Sequence, residues 1–249
     1  MTATITPPFG VPLLARFDPA LRLQDYEQSL KFYLPLLNTH FHSIIFAENS
    51  NSDVSSLQKI VDQAGMGDLV EFIVFNGLDH PPAYGRAYGE FKLIDHVMQS
   101  SEVTKKYDEA SVFWKVTGRY IVRNLDQILN HRPSNFDIFC NLRKIPKHWA
   151  DMFLIAWTLK GYESFLHRIH HKLIADENCL VQPEEVFIDL LDAASKKEIK
   201  LAPRFIVTPL VDGVRGSDNQ NYSENRNLWK FYTRNLACCL LPLAVDLGS

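Results

Sequence analysis

The sequence predicts an α/β fold in which a Rossmann-like, mostly parallel sheet is flanked by helices on both faces. Short β-rich runs alternate with helical patterns over the first 125 residues, as is typical of parallel strands joined by helical crossovers. The composition, 46 % apolar and 22 % charged, is that of a soluble globular chain. The length of 249 residues, without an internal repeat or a convincing linker, favours a single domain over 1–249.

Charge and cysteine usage exclude several other classes of protein. The 26 Lys and Arg against 29 Asp and Glu give a net charge of −3 without a basic cluster, so we expect no nucleic-acid partner. The four cysteines lack a regular spacing, which favours reduced thiols in a cytoplasmic protein. The first residues do not read as a signal peptide, and the longest apolar run, 236–245, is shorter than the roughly 20 residues of a membrane span.

Hydrophobic periodicity defines the elements of the first half. Tyr26, Leu30 and Tyr33 form a helical stripe, while Asp53 and Gly65 suit the start and the end of a second helix. In order, the predicted elements are a strand over 11–16, a helix over 23–37, a strand over 42–48, a helix over 54–64, a strand over 70–75, a helix over 88–98 and a long strand over 111–122 interrupted at Gly118.

The loops that follow the predicted strands indicate where a ligand binds. In sheets of this kind, ligands bind beyond the carboxyl ends of the strands. The loops that begin at Arg16, Glu48, Asn76 and Thr117 follow such ends. We therefore expect the functional site among these four loops.

The second half has a weaker pattern, with one clear helix. Pro183 suits the first turn of that helix, and Glu184 and Glu185 suit the positive end of its dipole. In order, the predicted elements are a strand over 136–143, an apolar segment over 150–160 that fits a strand or a helix, a helix over 161–174, a helix over 183–194, a strand over 200–207, a polar loop over 212–224 and a terminal helix over 227–241.

The most informative segment is KVTGRY, from Lys115 to Tyr120. Gly118 allows the backbone to turn or to approach a ligand closely, and Arg119 adds a cation at the carboxyl edge of the sheet. The segment resembles the Lys-hydrophobic-Thr-Gly-Arg-Tyr signature of GT-A-type bacterial glycosyltransferases from polysaccharide biosynthesis clusters. Further segments match this family in order: ENS at 48–50, GRAYGE at 85–90, ADM at 150–152 and APR at 202–204.

The resemblance runs from Leu13 to Arg204 and implies a GT-A-like fold. It implies a nucleotide-binding half over 1–125 and an acceptor-side half over 126–249. The implied activity is transfer of a sugar from a nucleotide-sugar donor to a glycan or a lipid-linked acceptor. The resemblance does not specify the donor, the acceptor or the oligomeric state.

The sequence departs from the metal-dependent members of that family. Their corresponding strand ends in Asp-x-Asp, which holds a divalent metal on the donor diphosphate, and no Asp-x-Asp occurs here. Fixed cations can neutralise a leaving diphosphate instead. We therefore expect no metal and no cofactor, the nucleotide-sugar being a co-substrate, with Arg119 and Lys115 stabilising the diphosphate. The alternative is a structural salt bridge for Arg119 and a simple bulge at Gly118.

Two groups of residues are candidates for donor binding beside that segment. The start of a helix at 85–90 offers free N–H groups and a dipole that favour an anion. Glu48 and Asn49 follow a strand and suit a ribose or a base, although ordinary Asx turns also explain them. The residues predicted to bind the donor are Arg16, Glu48, Asn49, Gly85, Arg86, Gly89, Glu90, Lys115, Thr117, Gly118 and Arg204.

Three carboxylates are candidates for the general base that deprotonates the acceptor hydroxyl. Asp151 matches the Ala-Asp segment of the family, and Glu184 and Glu185 are similar in position to the Glu-Asp pair that carries the base in many inverting members. Acids at a helix start are also ordinary partners of the dipole. The predicted catalytic residues are therefore Arg119 and one of these three acids.

Several alternatives stay open. His167, His170 and His171 fit either a zinc-binding spacing or a solvated basic face. The C-terminal segment 227–245 fits a helix on the core, an oligomer contact or a peripheral contact with the inner face of the membrane. The alternative function is a catalytically inactive nucleotide-binding or scaffolding protein. A nucleotide-sugar-forming transferase is disfavoured because no glycine-rich loop follows Arg16.

Overall fold

The computed structural model describes residues 1–144, 147–175, 181–216 and 218–220, which form an α/β fold. Its strands are β1 (Thr2–Ala3), β2 (Ile44–Glu48), β3 (Val70–Val74), β4 (Val112–Val116), β5 (Ile121–Val122), β6 (Ile138–Arg143), β7 (Trp149–Thr158), β8 (Leu201–Ala202) and β9 (Val211–Asp212). Its helices are α1 (Pro19–Tyr33), α2 (Ser55–Gln63), α3 (Gly85–Ser100), α4 (Leu125–Asn130), α5 (Leu159–Gly161) and α6 (Pro183–Ser195).

The described strands form a parallel sheet, a mixed sheet and a small ribbon of β5 and β9. The parallel sheet has the order β1-β2-β3, and the mixed sheet has the order β4-β7-β6-β8, with β7 antiparallel to both of its neighbours. A parallel bridge between Thr2 and Thr117 joins β1 to the end of β4. The prediction of a mostly parallel sheet is therefore confirmed for the first three strands and wrong for the antiparallel pairs of β7.

Helices cover both faces of the mixed sheet, as the alternating pattern predicts. Along β7, Leu154 and Ala156 belong to the core cluster that includes α1 and α2, whereas Ile155 and Trp157 belong to the cluster that includes α3 and α6. Because side chains alternate between the two faces of a strand, these clusters lie on opposite sides of β7.

Local capping explains where the first two helices begin and end. Helix α1 begins at Pro19 rather than at residue 23, because the Asp18 side chain accepts hydrogen bonds from two N–H groups of the first turn, at 2.8 and 3.3 Å. At α2, Asp53 accepts from the Ser55 N–H at 2.9 Å, and Gly65 follows the helix with a left-handed φ of 66°. Gly65 therefore follows the helix end as predicted, whereas the predicted N-cap Asp53 is wrong by one residue, because the helix begins at Ser55 with Val54 as its N-cap.

The predicted strand over 11–16 is wrong, and the first strand is β1. Leu13 has a positive φ of 51°, and Pro12 has no N–H to donate to a neighbouring strand. The segment is irregular and lines the cavity described below. A strand of two residues carries no periodicity that a sequence pattern can detect.

Three further elements are shorter than predicted. The strand predicted over 111–122 ends with β4, and β5 pairs with β9 instead. The helix predicted over 161–174 breaks at Arg168, whose φ of 58° is left-handed, into a π turn before it and a 3₁₀ turn after it. The strand predicted over 200–207 is limited to β8. The apolar segment over 150–160, for which the sequence allows a strand or a helix, is strand β7.

The C-terminal predictions fall largely outside the described residues. The loop predicted over 212–224 is described only up to residue 220, without residue 217, and the helix predicted over 227–241 and its membrane contact lie beyond it. None of the helices in the described part of the chain is both long and apolar enough to cross a membrane.

Candidate functional site

A cleft opens where the strand order reverses. The first three strands follow one another from β1 to β3 toward one edge of the sheet, and the chain then returns so that the end of β4 lies beside β1. A crevice therefore forms at the carboxyl ends of β1 and β4. Ligands bind at such switch points in open α/β sheets. A cavity of about 520 Å³ lies there, a volume typical of small-molecule sites. We call it the switch-point cleft; its lining includes Thr2, Arg86, Glu90, Arg119, Asp151 and Glu184.

Gly118 and Arg119 turn the chain where β1 meets the end of β4, and of these two predicted residues only Arg119 lines the cleft. The Gly118 N–H donates to the Thr2 carbonyl at 2.9 Å, and a Cβ at this position would lie only 2.7 Å from that oxygen. Close packing against β1 therefore requires this glycine. Arg119 follows with 6 % of its surface exposed, and its Nη1 donates to the Val214 carbonyl at 3.0 Å. Its Nε is buried and has no hydrogen-bond partner among the described residues.

The electrostatic surroundings keep Arg119 charged. Burial works to lower the pKa of Arg119, but Tyr26, Tyr120 and Asp25 outweigh it and raise the pKa above its ordinary value. The guanidinium also lies 5.5 Å from the centre of the Tyr120 ring, within the range of a cation–π contact. Arg119 is thus a fixed, desolvated cation in the cleft.

Arg86 and Arg119 both line the cleft and converge on Gly216, a buried residue outside the lining. A Cβ on Gly216 would lie 2.9 Å from Arg119 Nη2 and 3.1 Å from Arg86 Nη1. Arg86 is in the first turn of α3, where the helix dipole also favours negative charge. The structure therefore brings these two predicted residues together in an arrangement suited to a phosphate group.

Lys115 lies beneath the cleft in a buried ion pair with Glu90. The two charges are 2.8 Å apart, and Lys115 Nζ also donates to the Met152 carbonyl at 2.6 Å and to Thr117 Oγ1 at 3.0 Å. Glu90 in turn accepts from the hydroxyls of Thr2 at 2.6 Å and Thr117 at 2.9 Å. These contacts use the three donors of Lys115, so a direct bond to a diphosphate would require Lys115 to leave the pair.

Of the two predicted residues at the carboxyl end of β2, only Asn49 lines the cleft. The carboxylate of Glu48 is fully buried and accepts from the backbone N–H groups of Ile5, Ser50 and Ser52 at 2.9–3.0 Å. Glu48 therefore holds this loop and the strand end together, and its oxygens are not presented to a ribose. Asn49 Oδ1 accepts from the Thr4 hydroxyl at 2.7 Å.

The structure separates the three candidates for the general base. Glu184 lines the cleft, and burial raises its pKa above the ordinary value, although Arg86 opposes this shift. Glu185, the next residue, is bound to Lys147 at 2.9 Å and closes a capping box with the helix start, outside the cleft lining. Asp151 lines the cleft but is bound to Arg143 at 2.8 Å. Glu184 alone combines access to the cleft with a raised pKa.

The remaining predicted residues lie at different distances from the cleft. Arg16 donates to both oxygens of Asp25, at 3.0 and 2.8 Å, and Asp25 lies 3.8 Å from Arg119 Nη1. Arg16 is thus connected to the cleft through Asp25. Gly85 and Gly89 line it with α3. Arg204 follows β8 and is not part of the lining.

Sequence reasoning missed Arg22, a buried cation of the cleft wall. Its Nε donates to the Thr4 carbonyl at 2.6 Å and its Nη1 to the Arg16 carbonyl at 2.8 Å. Its side chain holds the strand end of β1 against α1. A signal was present in the sequence, because Arg22 lies one helical turn before Tyr26 on the same stripe as the apolar residues.

The three histidines do not form one helical face: His167 and His171 are exposed, as a solvated face predicts, whereas His170 is buried. His167 and His170 do not share a helical face, because the left-handed residue Arg168 separates them. His170 is buried and its Nδ1 lies 2.8 Å from Asp95 Oδ2, so the predicted solvated face is wrong for this residue. Within the described ranges, no group of three or more His, Cys, Asp and Glu side chains is arranged to hold a metal ion.

Comparison with known proteins adds no assignment to this site. A scan of the sequence against models of protein families finds no match, and no curated protein matches the chain.

Proposed function

We propose that the protein is a glycosyltransferase that takes a sugar from a nucleotide-sugar donor and transfers it to a hydroxyl of a glycan or a lipid-linked acceptor. The observation that carries the proposal is the convergence of Arg86 and Arg119 at the switch-point cleft. Two guanidinium groups that meet at the carboxyl edge of an α/β sheet fit a diphosphate, since each presents a planar fork to phosphate oxygens. The proposed place of action is the cytoplasm, at or near the inner face of the membrane.

In the proposed reaction the leaving diphosphate lies against Arg86 and Arg119. The acceptor oxygen attacks the anomeric carbon, the bond between this carbon and the phosphate oxygen breaks, and the electron pair leaves with the diphosphate. Negative charge grows on the leaving group, so cations fixed in a desolvated site stabilise the transition state more than the ground state. The buried Nε of Arg119, which has no partner among the described residues, offers a further donor to this charge.

Glu184 is the proposed general base. It lies in the same cleft, at the second residue of α6, and its raised pKa makes it a stronger proton acceptor than an ordinary carboxylate. It takes the proton of the acceptor hydroxyl during the attack. Asp151 and Glu185 are each held by a cation, at 2.8 and 2.9 Å, which weakens both as bases.

Metal independence is part of the proposal. The two arginines supply the charge that a divalent metal supplies in the family that the sequence resembles. The position of Arg86 and Arg119 in the cleft supports metal independence, and the arrangement of the carboxylates is not used as support.

Calorimetric titration with nucleoside diphosphates in excess EDTA tests the proposal. We expect at least one of UDP, GDP, CDP and TDP to bind, and the Arg119→Lys variant to lose about tenfold or more in affinity. Arg132→Lys is the matched control, because Arg132 is exposed and lies outside the cleft lining. Absence of binding by all four at millimolar concentration overturns the proposal.

The second candidate is a catalytically inactive nucleotide-binding protein. It is favoured by the structural contacts of Arg119, whose Nη1 donates to the Val214 carbonyl at 3.0 Å and lies 3.8 Å from Asp25 Oδ2, because an arginine held in this way can bind a nucleotide without promoting its cleavage. Tight diphosphate binding with neither hydrolysis nor transfer for any matching nucleotide-sugar supports this candidate over the enzyme.

A further inference from the structure

The hairpin of β6 and β7 presents polar and aromatic side chains to the switch-point cleft. Arg143 and Trp149 are opposite each other in the register of the two strands, and Asp151 lies two residues after Trp149, on the same face. These three residues line the cleft. Asn141 reaches the same face, since its side chain donates to Asp151 at 2.6 Å. We call these four residues the hairpin platform.

The polar part of the hairpin platform holds donors and acceptors side by side. Each oxygen of Asp151 accepts one bond, Oδ1 from Arg143 Nη2 at 2.8 Å and Oδ2 from Asn141 Nδ2 at 2.6 Å. A carboxylate has about four acceptor sites, so both oxygens keep capacity for a further donor. Arg143 Nε is buried and has no hydrogen-bond partner among the described residues. The pair can therefore both accept hydrogen bonds from a ligand and donate to it.

The aromatic part of the hairpin platform is held in place by a cation. Lys147 Nζ lies 4.3 Å from the centre of the Trp149 ring, within cation–π range, and 2.9 Å from Glu185 at the start of α6. Trp149 lines the cleft, whereas Lys147 does not. Lys147 therefore orients the indole from outside the cleft, and the indole offers its aromatic surface to a ligand inside it.

The proposed general base lies next to this hairpin platform. The contact of Lys147 with Glu185 joins the turn before β7 to the first turn of α6, which also carries Glu184. Burial raises the pKa of Glu184, and the charges of Arg86 and Lys147 both oppose this shift. The carboxylate of Glu184 is thus within electrostatic range of the proposed diphosphate site on one side and of the hairpin platform on the other.

The chemistry of the hairpin platform selects a class of ligand. An anion is disfavoured, because the carboxylate of Asp151 repels it and neutralises Arg143. An apolar ligand would remove water from both groups without replacing its hydrogen bonds, which costs free energy. A sugar hydroxyl donates to a carboxylate and accepts from a guanidinium, and the C–H face of a pyranose ring packs on the indole of Trp149. A neutral saccharide therefore matches all three side chains.

We propose that the hairpin platform binds the acceptor as a neutral saccharide, with a pyranose ring on Trp149 and neighbouring hydroxyls on Asp151 and Arg143. A further hydroxyl faces Glu184, which takes its proton as the oxygen bonds to the anomeric carbon of the donor, and the diphosphate leaves with the electron pair of the broken bond. The inference rests on the proposed function, because that function makes the bound saccharide an acceptor. A free glycan and the sugar of a lipid-linked acceptor share this chemistry.

Saturation-transfer NMR of the full chain without nucleotide tests the inference. The probes are the methyl glycosides of glucose, galactose, mannose and N-acetylglucosamine at millimolar concentration. We expect at least one to bind, with saturation of its ring C–H protons. Trp149→Ala and Asp151→Asn should each raise its Kd about tenfold or more, whereas Trp149→Phe, which keeps an aromatic face, should stay within about threefold of the wild type.

A matched control and deoxy glycosides separate recognition from stability. Asp192→Asn is the control, because Asp192 is also paired with a cation of this hairpin, Lys144 at 3.4 Å, but lies outside the cleft lining. The deoxy glycoside that lacks the hydroxyl bound by Asp151 should bind about tenfold more weakly to the wild type and lose little further affinity in Asp151→Asn. The loss in the wild type is measurable even if a variant is unstable.

Octyl glycosides distinguish the two sources of the sugar. Binding as tight as that of the methyl glycosides shows that the sugar carries recognition. Binding of the octyl glycosides alone, unchanged in Trp149→Ala, overturns the inference.

The inference and the proposed function can fail separately. Calorimetric titration of Trp149→Ala and Asp151→Asn with the nucleoside diphosphates should give wild-type affinity. Diphosphate binding without binding of any methyl glycoside overturns the inference and leaves the proposed function standing, as does equal glycoside affinity in Asp151→Asn and Asp192→Asn. Glycoside binding that depends on Trp149 and Asp151, without diphosphate binding, supports a saccharide site and overturns the transferase.

Discussion

A second cavity, which we call the β1 slot, lies between the amino ends of β2 and β4. The switch-point cleft and the β1 slot lie at opposite ends of these strands, and their linings differ in chemistry. The cleft is lined by charged groups such as Arg86, Arg119 and Glu184, whereas the slot is lined mainly by apolar side chains of β4, α3 and β7. Cavities of almost equal volume, about 520 and 530 Å³, are therefore suited to different occupants. The difference arises because the carboxyl ends of these strands continue into polar loops and a helix start, while their amino ends pass between two apolar layers.

The ion pair of Lys115 and Glu90 lies between these two regions. Lys115 lines the slot and Glu90 lines the cleft, and the pair is reinforced by the hydroxyls of Thr2 and Thr117. The pair is thus the polar boundary of an apolar cavity. Variants of residues in the cleft should therefore lower catalysis or diphosphate binding, whereas variants of the buried pair should lower stability.

The largest expected effect is that of Glu184→Gln on catalysis. Removal of a general base lowers kcat by about 10²–10⁴-fold. Because the pKa of Glu184 is raised, the acidic limb of the wild-type rate profile should lie above the usual range of a glutamate, and the variant should lose this limb. Steady-state kinetics over pH 4–9 measures both, with exposed Glu163→Gln as the control.

The same substitution should not destabilise the fold. A carboxyl whose pKa is raised by folding binds its proton more tightly in the native state, so its contribution favours folding at low pH and is lost as pH rises through the raised pKa. At neutral pH, Glu184→Gln removes this buried charge, and its Tm should equal or exceed that of the wild type. A lower Tm at pH 7 would contradict a role confined to catalysis.

Arg119→Lys should lower kcat and kcat/KM together, by about 10²–10³-fold, or ~3–4 kcal/mol. The reason is that a point charge cannot replace the planar guanidinium against two phosphate oxygens as charge develops on them. Steady-state kinetics of Arg119→Lys beside Arg132→Lys measures the effect, with circular dichroism melts as the folding control. A normal kcat in Arg119→Ala, or a collapsed melt in both Arg119 variants, would identify Arg119 as a structural residue instead.

Lys115→Met tests the boundary itself. It leaves Glu90 without its cation, and we expect a loss of about 3 kcal/mol in the free energy of unfolding, at the low end for a broken buried pair because 22 % of the Glu90 side chain is exposed. Urea denaturation measures this loss. The double variant Lys115→Met/Glu90→Gln should recover most of it. If Lys115→Met keeps its full stability but no longer binds the diphosphate, Lys115 contacts the substrate and the pair with Glu90 is not its main role.

Gly216→Ala should weaken diphosphate binding by about tenfold without unfolding the chain. The new Cβ would lie 2.9 and 3.1 Å from the two guanidinium groups and would force them apart. Gly67→Ala is the matched control, since a Cβ there meets no atom closer than 3.9 Å. Equal affinity in both variants would show that the two arginines do not act together.

The smallest expected effect is that of chelation. If the arginines supply the charge that stabilises the leaving group, excess EDTA should leave the transfer rate unchanged within error. Loss of activity in EDTA with recovery in Mn²⁺ would show that the cleft needs a metal, and that its acids rather than its arginines carry the diphosphate charge.

The sequence alone determined the parts of this protein that depend on local patterns. The strands β2, β3 and β6, the apolar stripe of α1 and the start of α6 follow from periodicity and capping within short windows. The placement of Arg86 at a helix start and of Arg119 after a strand end followed from the same signals, so that their arrival at one edge of the sheet was predictable. Their convergence on Gly216 was not, because this residue comes from a distant segment.

Tertiary structure decided which of several equivalent residues reach the site. Glu184 and Glu185 are adjacent in the first turn of one helix and point in directions about 100° apart, so the packing of α6 alone determines which one faces the cleft. The carboxylate of Glu48 lies inside the protein because it accepts hydrogen bonds from the backbone N–H groups of Ile5, Ser50 and Ser52, and two of these residues follow β2. β1 and the antiparallel pairing of β7 with β4 depend on contacts between residues far apart in the chain, and such pairing leaves no periodic signal in the sequence.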